Sequence, residues 1–120
     1  MKKIVSLAFC LELLLSTSVV SATPVDDTIE QIIQWKKQEQ GIQIDQPLLQ
    51  NPLLKQATST AGDWYPFSIG RIGYTDDFEA YLAVAEKNVQ TRYQLPQKLD
   101  ETKATEWHRI SLAILATGGD

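Results

Sequence analysis

The stretch "KATEWHRISLAILATGGD" (103–120) constrains the fold more than any other part of the chain. On a helical wheel of about 100° per residue, Ala104, Trp107, Ile110, Ser111, Leu112, Ile114 and Leu115 cover more than half the circumference. A helix apolar over so wide an arc asks for cover on two sides, more than a short chain of four or five helices supplies. The pair Gly118–Gly119 closes it as helices are closed before a following element. The stretch therefore reads as part of a larger helical array stopped after its opening helices.

The remaining segments supply partners for it, all helical. "DDTIEQIIQWKKQEQG" (26–41) predicts a first helix, capped by Asp26 or Asp27, with Ile29, Ile32, Ile33 and the stem of Lys36 on one face and Gly41 as its stop. Trp35 falls off that stripe and is expected to meet a second neighbour. Residues 42–50 read as a connector, and "NPLLKQATST" (51–60) as a short helix with Asn51 as cap and Pro52 at the first position. Asp63 is expected to cap a helix over 64–72, with Pro66 in its first turn and Gly73 ending it. Asp76 or Asp77 then caps a long helix whose stripe is Phe78, Tyr81, Leu82, Ala85, Val89 and Tyr93. "QLPQKLDE" (94–101) forms a turn, and the last helix runs over 103–117. Strict alternation over five or more residues is absent, so no strand is expected. The fold class that follows is all-α, built as antiparallel helix pairs.

The first 22 residues stand apart. Lys2 and Lys3 precede an apolar run over 4–15, and "SVVSA" (18–22) offers small residues for cleavage after Ala22. That is the layout of a secretory signal peptide, and it places the product outside the cell or at its surface. As a membrane anchor, the alternative, the run is short, holds Glu12 and ends in Ser16, Thr17 and Ser18, where a span needs roughly 20 apolar residues. No stable span is expected after processing. The lone cysteine, Cys10, lies inside this leader without the small residues that precede a lipidated cysteine. Cleavage would leave no thiol for a disulfide, a zinc site or a nucleophile. Without Lys2, Lys3 and Glu12 the net charge moves from −4 to −5. An acidic, evenly mixed surface argues against nucleic acid and anionic membranes as partners. The chain thus divides into a leader (1–22), an N-terminal helix with its connector (23–60) and a helical repeat region (61–120).

Two strings in that last region, "TAGDWYPFSIGRIGYTDDFEAYLAV" (60–84) and "KATEWHRISLAILATGGD" (103–120), carry a family resemblance. Residues 61–120 resemble the N-terminal part of secreted or surface proteins of Gram-positive bacteria with prenyltransferase/squalene-oxidase-type repeats. The resemblance implies an α/α toroid, in which each helix pair leaves a face for the next to bury. It implies no particular chemistry here. Protonating squalene and terpene cyclases use an Asp-x-Asp-Asp acid, whereas "YTDDF" (74–78) keeps only the adjacent pair Asp76–Asp77, which suits a helix cap. Protein prenyltransferases hold zinc through Asp, Cys and His, and this region has one His and no Cys.

The residues offer two candidate clusters. In "EWHR" (106–109), Glu106 and His108 are the candidate acid–base groups. The wheel sets His108 between Leu112 and Leu115, which reads first as a core-edge histidine. Glu106 reads first as a surface partner of Arg109 or Lys103. With no second histidine, no metal site is expected, and no cofactor. In "GDWYPFSIGR" (62–71) and just beyond, Trp64, Tyr65, Arg71 and Tyr74 could form an aromatic rim with one cation, suited to a sugar or an isoprenoid-like ligand. The rival reading is core packing. The function that follows is a binding or surface role without autonomous catalysis, toward a small molecule, a glycan or a surface protein. The alternative is part of an extracellular lyase- or cyclase-like enzyme whose main site lies elsewhere.

Overall fold

The computed structural model describes residues 24–94 and 104–120. The leader (1–22) and most of the expected turn over 94–101 lie outside the described residues. Among the described residues four helices occur, with no strand: α1 (Pro24–Glu39), α2 (Thr60–Arg71), α3 (Phe78–Gln94) and α4 (Ala104–Ala116). A short 3-10 turn, Leu53–Gln56, precedes α2. None of these helices is long and apolar enough to cross a membrane. The all-α class holds.

The chain divides into two compact units, one ending at Ile32 and one covering Ile33–Asp120. The described part of the first unit is the start of α1, where Asp26 and Asp27 sit in the first turn as the helix dipole favours. Ile32, expected on the buried face, is 51% exposed.

In the second unit α1 ends with Ile33 and Lys37 as its buried residues, while Trp35 is exposed. Lys37, in place of Lys36, is therefore the lysine whose stem goes inward. Its ammonium donates to Ile44 O at 3.0 Å, so it holds the connector that follows. That connector carries much of the core. Ile42, Leu48, Leu49 and Leu53 are all buried, although none lies in an α-helix. Asp76 explains how an irregular stretch is fixed so well. Its carboxylate accepts the amides of Leu48 and Leu49, each at 2.9 Å, and turns both side chains inward. Asp77 alone caps α3, accepting the Ala80 amide at 3.0 Å. The expected helix over 51–60 is reduced to the 3-10 turn, with no side-chain cap at its start.

The start of α2 differs from the expectation. Ser59 is the cap, its hydroxyl accepting the Gly62 amide, so the helix begins four residues before Trp64. Pro66 is thus inside the helix and buried, and Asp63 is an inward-facing residue of the first turn. Gly73 does end α2. It takes a φ of +72°, the Gly73 amide donates to Gly70 O and the Tyr74 amide reaches back to Ile69 O at 3.0 Å. The pair Gly118–Gly119 closes α4 by the same motif. The Gly118 amide donates to Leu115 O and the Gly119 amide to Ile114 O. A side chain at Gly119 would run into Ile114 and into Leu82 of α3. Each glycine of the pair is accounted for locally.

Contacts at both ends fix the directions of α2, α3 and α4. Asp63 meets Arg109 near the starts of α2 and α4, and Gly70 meets Ala116 near their ends, so these two run parallel. Arg92 of α3 meets Glu106 of α4, and Leu82 faces Gly119, so α3 is antiparallel to α4 and, by the same token, to α2. From α2 to α4, consecutive helices are antiparallel, as expected. On α4 the buried stripe is Ile110, Ala113 and Thr117, while Leu112 and Leu115 remain 45% and 64% exposed. One side of the wide apolar arc is covered; the other is not. Trp107 is half-buried.

The close approach at Gly70 sets two effects against each other. Alanine improves helix propensity over glycine by about 0.5–1 kcal/mol. A Cβ at this position, however, would collide with the Ala116 carbonyl, and overpacking of this kind costs about 1–3 kcal/mol. Packing wins on magnitude. Gly70→Ala is expected to lower the urea midpoint with an unchanged slope; a raised midpoint would contradict the helix pairing.

Candidate functional site

Asp63 is the centre of the polar structure. Its side chain has no exposed surface. One carboxylate oxygen accepts the Thr58 amide at 2.7 Å and the Tyr81 hydroxyl at 3.0 Å, and the other accepts Nε of Arg109 at 2.9 Å. Three chain segments therefore converge on one buried charge, which is what a carboxylate out of water requires.

The turn before α2 is bound into the same network. Thr58 has a φ of +68°, a left-handed conformation that costs a β-branched residue on the order of 1–3 kcal/mol. The Thr58 carbonyl accepts from Arg109 Nη2 at 3.0 Å and from Arg92 Nη1 at 3.4 Å. Asn88 donates to the Ala57 carbonyl at 3.0 Å, and the Ser59 hydroxyl donates to Gln56 O at 2.6 Å. Arg92 also pairs with Glu106 at 2.9 Å. No buried side-chain nitrogen or oxygen among the described residues lacks a hydrogen-bond partner.

A cleft of about 620 Å³ opens above this network, between the start of α2, the end of α3 and the start of α4. Thr58, Ser59, Thr60, Asn88, Thr91, Arg92, Thr105, Glu106 and Arg109 line it. The lining mixes hydroxyl, amide, guanidinium and carboxylate groups with apolar surface in similar measure, and it includes no aromatic ring.

The candidate residues read from the sequence are distributed around this cleft unequally. Glu106 lines it and pairs with Arg92; Lys103, one of its expected partners, lies outside the described residues. His108 is exposed on α4 and does not line the cleft. It is not a core-edge residue, because its neighbours Leu112 and Leu115 are on the exposed side of the helix. The aromatic rim is not assembled either. Trp64 is 47% exposed and packs edge-on against Phe67. Tyr65 lies under the Lys36 ammonium, 5.0 Å from the ring centre. Arg71 is exposed in the last turn of α2. Tyr74 lines a separate depression of about 500 Å³ with Lys37, Asp45, Asp76 and Asp77. Among the described residues no cluster of three or more His, Cys, Asp or Glu is placed to hold a metal ion.

Asp63 and Arg109 are the residues that sequence reasoning missed. Starting α2 at Ser59 sets Asp63, Pro66 and Gly70 on one stripe, and that register was the available signal. Asp63 accepts three hydrogen bonds, from Thr58, Tyr81 and Arg109. Burial, followed by the charge and the hydrogen bond of Asp63, raises the Tyr81 phenol far above its usual range, with Arg109 opposing only in part. Comparisons with family models, with curated proteins and with solved structures find no match for this chain.

The raised phenol gives a pH dependence with a definite sign. A folded-state value above the unfolded one stabilises the fold fully below the unfolded value, about 10 for tyrosine. That stability is lost as pH rises beyond it. Denaturation curves collected through this range are expected to show wild type losing stability faster than Tyr81→Phe above about pH 10. Parallel loss in the two proteins would contradict the assignment.

Proposed function

We propose that the chain is an exported binding module, part of an α/α-toroid protein, with no catalysis of its own. The observation that carries the binding reading is the cleft above Asp63, a preformed polar surface whose charged groups are already paired. A hydrolytic or cyclising site needs an acid or base with capacity left to act. The carboxylates in and beneath the cleft are engaged in structure: Glu106 with Arg92 and Asp63 with Arg109. That favours binding over the lyase or cyclase alternative.

Two features support the toroid part of the proposal. α2 and α4 run parallel side by side, with α3 antiparallel to both, and repeated helix pairs of this kind build closed helical rings. The exposed apolar flank of α4, with Leu112 and Leu115, is the type of face that a further helix pair would bury. Export rests on the basic start, the apolar run and the small residues before Thr23. The ligand classes consistent with such a module are a small molecule, a glycan or a surface protein.

Export is the part tested most simply. Expression of the full chain in a secreting Gram-positive host is expected to release protein whose N-terminus, by mass spectrometry, is Thr23. Intact Met1 recovered only from the membrane fraction would overturn the exported, processed product.

A further inference from the structure

Four formal charges meet beneath the cleft and cancel. Arg109 pairs with Asp63 and Arg92 with Glu106, each at 2.9 Å. An anion entering the cleft would add negative charge to a balanced cluster, on a chain whose net charge is already −4. A neutral ligand meets no such opposition.

The hydrogen-bonding capacity left over is mixed. A guanidinium has five N–H donors, and Arg109 directs one each from Nε, Nη1 and Nη2 to Asp63, Thr60 and Thr58. The Thr91 hydroxyl donates to Lys87 O, which leaves its oxygen as an acceptor. The Thr60 hydroxyl accepts from Arg109, which leaves its proton to donate. Asn88 donates to Ala57 O and keeps its amide oxygen as an acceptor. Spare donors and acceptors thus occur together on a surface whose two arginines are each paired with a carboxylate. Hydroxyl groups, each donor and acceptor at once, match that pattern; a carboxylate, which only accepts, does not, and a phosphate, chiefly an acceptor, matches it less well. The volume, about 620 Å³, falls within the roughly 300–1,000 Å³ of small-molecule sites.

We infer that the cleft binds a neutral, hydroxyl-rich ligand of mono- or disaccharide size, through Arg92, Arg109, Asn88, Thr60, Thr91 and Thr105. This rests on the binding reading above and specifies its ligand class. With no aromatic ring in the lining to stack on a sugar face, affinity is expected in the millimolar range, about −4 kcal/mol.

The test is a titration of the ¹⁵N-labelled full chain followed by amide chemical shifts. One arm uses cellobiose, maltose and N,N′-diacetylchitobiose; the other uses inorganic phosphate, with ionic strength held constant by sodium chloride. At least one disaccharide is expected to give saturable shifts at the amides of Thr60, Asn88, Thr91 and Thr105. Thr105→Val and Thr91→Val, both at exposed positions, are each expected to weaken that binding by about three- to tenfold, the share of one hydrogen bond. Unchanged affinity in both variants would place the sugar elsewhere and overturn the inference. Saturation by phosphate alone would also overturn it, while leaving the cleft a ligand site. No saturable shift in either arm would remove both the inference and the binding reading.

Discussion

A carboxylate with no contact with water has to have its charge met inside the protein, and at Asp63 that requirement organises the helices around it. The carboxylate needs a cation, so Arg109 must lie alongside, which brings α4 parallel to α2. It needs neutral donors as well, so Tyr81 of α3 and the Thr58 amide must face it. Removing one partner of such a pair leaves an uncompensated buried charge, a loss of roughly 3–5 kcal/mol. Small domains hold only about 5–15 kcal/mol in total. The arrangement of α2, α3 and α4 therefore has little freedom to vary.

The same requirement explains the form of the cleft. Arg109 is held by Asp63, so it can fix the Thr58 carbonyl, and Arg92 is held by Glu106 while reaching the same carbonyl. That double clamp keeps a threonine in a left-handed conformation it would otherwise avoid. The turn and the two guanidiniums become one rigid surface. Rigidity of this kind lowers the entropy cost of binding, and the ion pairs that hold the surface balance in charge.

Periodicity and glycine positions were enough to read α1, α3 and α4, and the closure of α1 at Gly41 and of α4 at Gly118–Gly119. Stripe residues such as Tyr81 and Ala85 are buried where the 3.6-residue repeat places them. Two things were less legible. Leu48 and Leu49 look like connector residues because nothing local folds them; they are buried through the distant carboxylate of Asp76. Asp63 looked like a helix cap because aspartate favours that position, and Ser59, with an equally good claim, took it. Once the cap is assigned to Ser59, Asp63 falls on the inward face, and its partner still lies 46 residues away in sequence. Pairing across such a distance is a tertiary choice among several arginines. His108 failed for the related reason that the wide apolar arc of α4 gives no indication of which flank is covered.

Asp63 and Arg109 act as one unit, and a double-mutant cycle with Asp63→Asn, Arg109→Gln and the pair, read by urea denaturation of the full chain, tests this. Each single substitution is expected to be strongly destabilising. The double variant should be far less so than their sum, with a coupling energy of about 2–3 kcal/mol. Additive losses, with coupling indistinguishable from zero, would contradict it.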